Sequence, residues 1–174
     1  MIKNLQISCD KLKKMEEKIP CKFSEVGPFS EMILELSDYQ EKTTEIKNIK
    51  YGLYKGNQEQ LHQIIAKVNK NWVRYFDINK IIFCGYIQNK PVSFCLIETH
   101  ADNILEDKFI KIGGIACVGT IPEYRKMGIG LRLVDLATLY LKKKGFDYSY
   151  IHYTHLEKWY NKLGYQGIAK FSLV

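Results

Sequence analysis

Between Ile121 and Leu131 the sequence reads Pro-Glu-Tyr-Arg-Lys-Met-Gly-Ile-Gly, which puts Arg125 and Lys126 just ahead of Gly128 and Gly130. An apolar run precedes this stretch and 3.6-residue periodicity follows it, so the glycines fall where a strand hands over to a helix. Glycine there leaves bare backbone, and an anion can approach the unpaired amides of a helix N-terminus. The amides of Met127, Gly128, Ile129, Gly130 and Leu131 would converge on a phosphate or pyrophosphate. The helix dipole favours the negative charge, and Arg125 and Lys126 add two cations beside it. A P-loop would need Gly-Lys-Ser/Thr, which is absent, and a dinucleotide fingerprint would need glycine where Leu133 stands.

The stretch resembles motif A of the GCN5-related N-acetyltransferases (GNAT): an apolar strand Ile115 to Ile121, Pro-Glu-Tyr, then Arg125-x-x-Gly128-x-Gly130. A second landmark lies downstream, where Trp159-Tyr160-Asn-Lys-Leu-Gly164-Tyr165 looks like the family's motif B. The resemblance covers about residues 46–170. It implies an α/β fold with a mixed, mostly antiparallel central sheet, splayed at an acetyl-CoA site and flanked by helices. It also implies that Val118, Gly119 and Thr120 pair with the pantetheine amides of acetyl-CoA, the acyl-donor substrate, while Met127 to Leu131 hold the pyrophosphate. No metal is implied.

Tyr160 matches the motif B tyrosine that often protonates the departing CoA thiolate. A phenol near pKa 10 and a thiol near 8.5 differ by about 1.5 units, a gap of roughly 2 kcal/mol. The amine must be neutral to attack, so a base is needed. Glu98 or His100, at the end of one apolar run, and His152 or His155, around the end of another, are the candidates. Cys117 would suit an acyl-cysteine route, but nothing near it in sequence lowers its pKa. Glu123 is expected to set a turn, and Trp72, Tyr75 and Phe76 either shape an acceptor pocket or pack the core. Motif B helices of the family often begin with asparagine seven residues before the tyrosine; here that position is Tyr153. Thr154 is a possible cap instead, with Glu157 at the capping-box position.

These groups need elements to hold them. Ile49, Tyr51 and Leu53 alternate as a strand, and Asn57 with Gln60 has capping-box spacing for a helix burying Leu61, Ile64, Ile65 and Val68. Ile81 to Ile87 and Pro91 to Thr99 read as a hairpin about Gln88-Asn89-Lys90. Phe109 to Ile121 is the central strand, with room at Gly113-Gly114 and Gly119 for a bulge or a close approach. Ile129 to Leu141 forms a helix ended by Gly145, then come a strand Tyr148 to Tyr153, a short helix Leu156 to Leu163 and a strand Tyr165 to Leu173. The order β, α, β, β, β, α, β, α, β implies a mixed sheet covered by helices. Before it, residues 5–18 carry a weak helical pattern ended by Pro20, and Met32 to Leu36 is a possible strand. The expected division is an N-terminal extension, 1–45, packed on a domain at 46–174.

The chain has 174 residues, about the size of one domain, with 46% hydrophobic and 13% aromatic residues, too apolar for disorder. No run reaches the roughly 18–20 apolar residues of a membrane span, and the first twenty residues carry charge throughout, so a cytoplasmic protein without a membrane partner is expected. Five cysteines without CxxC spacing favour reduced, mostly buried thiols. The net charge of +7 includes only three arginines, Arg74, Arg125 and Arg132, which suits an acidic small ligand or solubility better than base reading in nucleic acid. The expected activity is therefore acetyl-CoA-dependent N-acetyl transfer to a primary amine by direct attack in a ternary complex, by a monomer or homodimer. The alternative is a non-catalytic acyl-CoA sensor or interaction module.

Overall fold

The structure is a computed structural model that describes residues 21–24, 27–99 and 110–173. The weak helix at 5–18, Pro20, His100 and the expected strand start at Phe109 lie outside the described residues. The chain divides into two compact units, one of residues 1–39, 99–114 and 142–174, the other of residues 40–98 and 115–141.

The second unit carries β3 (Lys50–Leu53), α1 (Gln58–Val68), β4 (Ile81–Ile87) and β5 (Lys90–Glu98), with most of β6 (Ile112–Thr120) and of α2 (Ile129–Lys143). β3, β4 and β5 pair antiparallel in succession. Asn57 caps α1 as its spacing predicts, its Oδ1 accepting from the Gln60 amide at 2.8 Å. The β4–β5 turn is Gln88-Asn89, both at positive φ (49° and 62°), the left-handed pair that a two-residue hairpin demands. Lys90 belongs to β5 instead of the turn. Leu61, Ile65, Phe76, Ile82, Cys84, Phe94 and Leu96 form one buried cluster between α1 and the sheet.

α2 shows its predicted apolar face, with Ile129, Leu133, Ala137 and Leu141 buried. It also buries a charged group that periodicity did not reveal. Asp135 is fully buried and accepts from the amides of Lys42 and Thr43 at 2.9 and 2.6 Å and from the Thr43 hydroxyl at 2.6 Å. Arg132, one turn earlier, pairs with Glu41. The segment at 41–43 is thereby tied to the helix.

In the first unit the strand order is β1 (Cys21–Ser24), β8 (Gln166–Leu173), β2 (Phe29–Glu35), β7 (Tyr148–Thr154), then the start of β6. The possible strand at Met32 to Leu36 is thus real but begins at Phe29, and it runs antiparallel to both β7 and β8. β6 and β7 are parallel, and their pairing covers only Ile112 to Gly114 against Tyr148 to Tyr150. The other strand pairings described are antiparallel, which makes the sheet mixed and mostly antiparallel, as expected. No helix among the described residues is long and apolar enough to cross a membrane.

The predicted short helix is one α-turn, α3 (Glu157–Tyr160), followed by a 3₁₀ turn at Asn161–Leu163 and ended by Gly164 at φ 96°. Thr154 is not the cap: the N-cap is Leu156, with no side-chain capping bond, and the Thr154 hydroxyl accepts from the Leu156 amide at 3.0 Å as a local turn before the helix. Glu157 instead accepts from Ser30 Oγ at 2.8 Å and pairs with Lys170 at 3.4 Å. A distant strand outcompetes the local amide for that carboxylate.

Candidate functional site

β6 supplies the first part of the site in the second unit. Its left-handed residue is Cys117, at φ 49°, and not one of the glycines that left room for a bulge or a close approach. Gly119 is the close approach: a Cβ there would stand 2.6 Å from Phe94 Cζ, so an aromatic ring of the protein, and not a ligand, requires that glycine. The Gly119 carbonyl accepts from the Ser93 hydroxyl at 2.8 Å, and the Thr120 carbonyl accepts from Arg125 Nε at 2.9 Å. Val118 and Thr120 are half-buried.

Pro122–Tyr124 forms a single 3₁₀ turn, in keeping with a structural role for Glu123, which is exposed. The chain from Arg125 to Gly128 is exposed, Met127 at 53%. Lys126 and Gly128 both have positive φ (63° and 80°), with Met127 between them. Alternating backbone handedness turns successive amides to one side and makes an anion-binding concavity. α2 starts immediately after, at Ile129, and the amides of Ile129, Gly130 and Leu131 precede its first hydrogen-bonded amide, Arg132 to the Gly128 carbonyl at 3.0 Å. Concavity and helix start together offer a pyrophosphate several donors, the helix dipole and the Lys126 side chain. Gly128 has open space apart from Ile46, whose Cδ1 would be 3.6 Å from a Cβ.

A family model for the acetyltransferase (GNAT) family matches residues 40–165. The chain belongs to the GNAT acetyltransferase family. Solved structures agree at the level of fold. A GCN5-related glucosamine N-acetyltransferase region of a fungal multi-domain GH3 β-N-acetylglucosaminidase superposes with a TM-score of 0.70 at 20% identity, over 93% of this chain and 22% of that one. A GCN5-related N-acetyltransferase from Sphaerobacter thermophilus gives 0.66 at 14% identity, over 94% and 55%. One from Kribbella flavida gives 0.61 at 15%, over 92% and 61%. This GNAT chain thus spans less than two thirds of the length of each of these neighbours. No curated protein matches it in sequence.

The motif B residues of this GNAT chain lie in the first unit. Tyr160 is 5% exposed, with its ring edge-on to Trp159 at 4.8 Å and to Tyr165 at 5.9 Å. His155 is exposed and meets Phe29 edge-on at 6.3 Å. Glu98, half-buried at the end of β5, belongs to the second unit. Its charge helps push the Cys117 thiol up to about 11, behind the larger effect of burial. Burial likewise raises Cys84 to about 12 and lifts Cys95 well above the usual thiol range. All three are free thiols, and a thiol with a raised pKa is a poor nucleophile near neutrality.

Of the aromatics read as either pocket or core, Phe76 is core, edge-on to Phe94 at 5.3 Å, and Trp72 packs against the same cluster. Tyr75 is 42% exposed, with the Arg74 guanidinium 4.9 Å above its ring.

One constellation in the first unit goes beyond the sequence reading. Glu31 is fully buried on β2, and its carboxylate accepts from the Tyr150 hydroxyl, meets His152 Nδ1 at 2.9 Å from both oxygens, and lies 3.3 Å from the Tyr153 amide. The available signal was faint: Glu31 shares the parity of Phe29 and Ile33 on β2, so a charge lies where an apolar side chain would be expected.

Proposed function

We propose that this GNAT chain is an acetyl-CoA-dependent N-acetyltransferase, acting in the cytoplasm as a monomer or homodimer, that moves an acetyl group to a primary amine by direct attack in a ternary complex. The observation that carries this reading is the Arg125 to Gly130 turn, where two left-handed residues and a helix start expose amides beside cations in a family that transfers acetyl groups. CoA's pyrophosphate supplies two negative charges, and its pantetheine arm supplies amides that a strand such as Val118 to Thr120 can pair with.

In this reading the amine attacks the thioester carbonyl, and a backbone amide near Val118 to Thr120 stabilises the oxyanion. Tyr160 gives its phenolic proton to the departing thiolate. Glu98, His100, His152 and His155 are the candidate acceptors for the amine's proton. Direct transfer is preferred to an acyl-cysteine because burial keeps the Cys117 thiol protonated. The acetyl group needs no metal to move.

The test is calorimetric titration with acetyl-CoA, followed by thiol-release assays with a panel of primary amines. Glucosamine, the amine named for one fold neighbour, belongs in that panel. One-site binding with amine-dependent thiol release is expected. Tyr160→Phe should lower kcat by about 10² or more while leaving acetyl-CoA affinity unchanged. Binding without turnover on any amine would favour a non-catalytic acyl-CoA sensor, and no binding at millimolar ligand would end the reading altogether.

A further inference from the structure

Burying a carboxylate costs several kcal/mol unless its oxygens are satisfied, so Glu31 needs a reason to sit fully buried on β2. The sheet is distorted around it on both sides. Ser30 pairs with Thr154 and Met32 with Ile151, so Glu31 alone faces both His152 and Tyr153 of β7. On the other side, Glu31 pairs with Ala169 and Met32 with Gly167, which leaves Ile168 as an extra residue of β8. Two bulges thus meet at one residue, and bulges commonly re-aim side chains beside functional sites.

The β7 bulge is made by Tyr153 at φ 56°, a left-handed conformation that costs a non-glycine residue about 1–3 kcal/mol. The Tyr153 ring stacks on Phe29 at 4.6 Å and lies 5.4 Å from Phe171, which holds the conformation. Its amide turns toward the Glu31 carboxylate instead of toward a backbone carbonyl of β2.

The hydrogen bonds assign the tautomer of His152. The Tyr150 hydroxyl addresses one Glu31 oxygen and the Tyr153 amide the other, and each can only be the donor if both oxygens accept. Nδ1 of His152, 2.9 Å from both, is then the third donor and carries the proton. In the neutral ring Nε2 then holds the lone pair, and the structure shows no hydrogen bond to it among the described residues. The His152 side chain is 39% exposed, so this nitrogen is reachable from solvent while its ring is fixed from beneath by a fully buried carboxylate. An imidazole oriented through Nδ1 by a buried carboxylate, with Nε2 open, is the arrangement of a general base.

Position supports the same role. The described pairing of β7 with β6 ends at Tyr150, and His152 stands two residues beyond it on β7. His155, by comparison, has an edge-on contact with Phe29 but no described carboxylate to orient it.

We infer that His152 is the general base of the acetyl transfer and that Glu31 is its positioning residue, with the Tyr153 bulge setting the angle between them. The inference rests on the acetyltransferase reading above. The acceptor enters as an ammonium ion and gives one proton to Nε2. The neutral nitrogen attacks the thioester carbon, a C–N bond forms, and the C–S bond breaks. The nitrogen loses a second proton, and the thiolate takes up the Tyr160 proton. Tyr160 regains that second proton through water and His152 passes its own to solvent, so one proton is released per amide formed.

The test assays thiol release from acetyl-CoA with glucosamine, spermidine and lysine as amine probes, in wild type, His152→Gln, His152→Ala and Glu31→Gln. Nitrogen-15 NMR of His152 reports the tautomer. We expect His152→Gln to lose kcat by about 10² or more with KM for acetyl-CoA unchanged, and added imidazole to restore turnover to His152→Ala. Wild type should show the Nδ1–H form, and Glu31→Gln should weaken that preference together with kcat. Full turnover in His152→Gln would overturn the assignment and leave the acetyltransferase reading standing. A loss in His152→Ala that imidazole does not rescue would also overturn it, assigning the cluster to the fold alone. Absence of thiol release by wild type with every amine would remove the reading beneath it.

Discussion

Arg125 folds back along the chain so that its Nε donates to the Thr120 carbonyl at 2.9 Å, tying the end of β6 to the turn that opens α2. The guanidinium keeps its other N–H donors on the exposed side, where an anion can use them in parallel. One residue therefore fixes the loop and carries a positive charge at an exposed position.

Replacing Arg125 by lysine keeps the charge but loses the planar fork, so acetyl-CoA affinity should fall by about tenfold. Arg125→Ala should fall further. Calorimetric titration at two salt concentrations checks this, and the loss should shrink as salt rises because screening weakens the charge contribution.

Gly119→Ala places a methyl group 2.6 Å from the Phe94 ring. Overpacking of this kind costs about 1–3 kcal/mol, and urea unfolding should show a lower midpoint at unchanged slope. Phe94→Leu in the same chain should recover part of the loss, because the ring is what the methyl meets.

Asp135→Asn removes the charge that holds the Lys42 and Thr43 amides and the Thr43 hydroxyl. Breaking a fully buried ionic network costs about 3 kcal/mol. Glu41→Gln, at a side chain 47% exposed, should cost less than about 1 kcal/mol. Thermal or urea unfolding of the two variants should separate them clearly.

Cys84 and Cys117 have thiols raised to about 12 and about 11 from the usual 9.0. A raised acid holds its proton more tightly when folded, so above pH 9 the unfolded chain binds fewer protons and stability falls with rising pH. The slope for each thiol is at most about 1.4 kcal/mol per pH unit between 9 and its raised value. Cys117→Ala should flatten the alkaline limb of urea stability relative to wild type. The same variant should retain acetyl transfer at pH 7.5, and no acetyl-thioester on the protein should be found by mass spectrometry.

The turn and helix start at Arg125 to Gly130 were legible because their logic is local: a strand end, two glycines and a helix start are adjacent in the chain. Helix α1 and the β4–β5 hairpin were legible for the same reason, through the Asn57 cap and a short polar turn. The Glu31 cluster was not. His152 could be named as a candidate, but its partner lies on β2, and only the strand register brings the two together. The capping box at Thr154 failed by the same physics, since Ser30 and Lys170 compete for Glu157 from distant strands. On β6 the left-handed residue is Cys117, while Gly119 is committed to its approach to Phe94.

The placing of β2 between β7 and β8 also sets an order of events during synthesis. A ribosome delivers Phe29–Glu35 early, yet both of its partners come from the far end of the described chain. Non-local pairing of this kind closes slowly. The β4–β5 hairpin and α1 can form while the C-terminal strands are still unmade, whereas β2 must wait with both edges unpaired. Those open edges are a template for pairing with other chains. Nascent chains halted before Gln166 should therefore depend on a chaperone that shields Phe29–Glu35 and release it once β8 emerges.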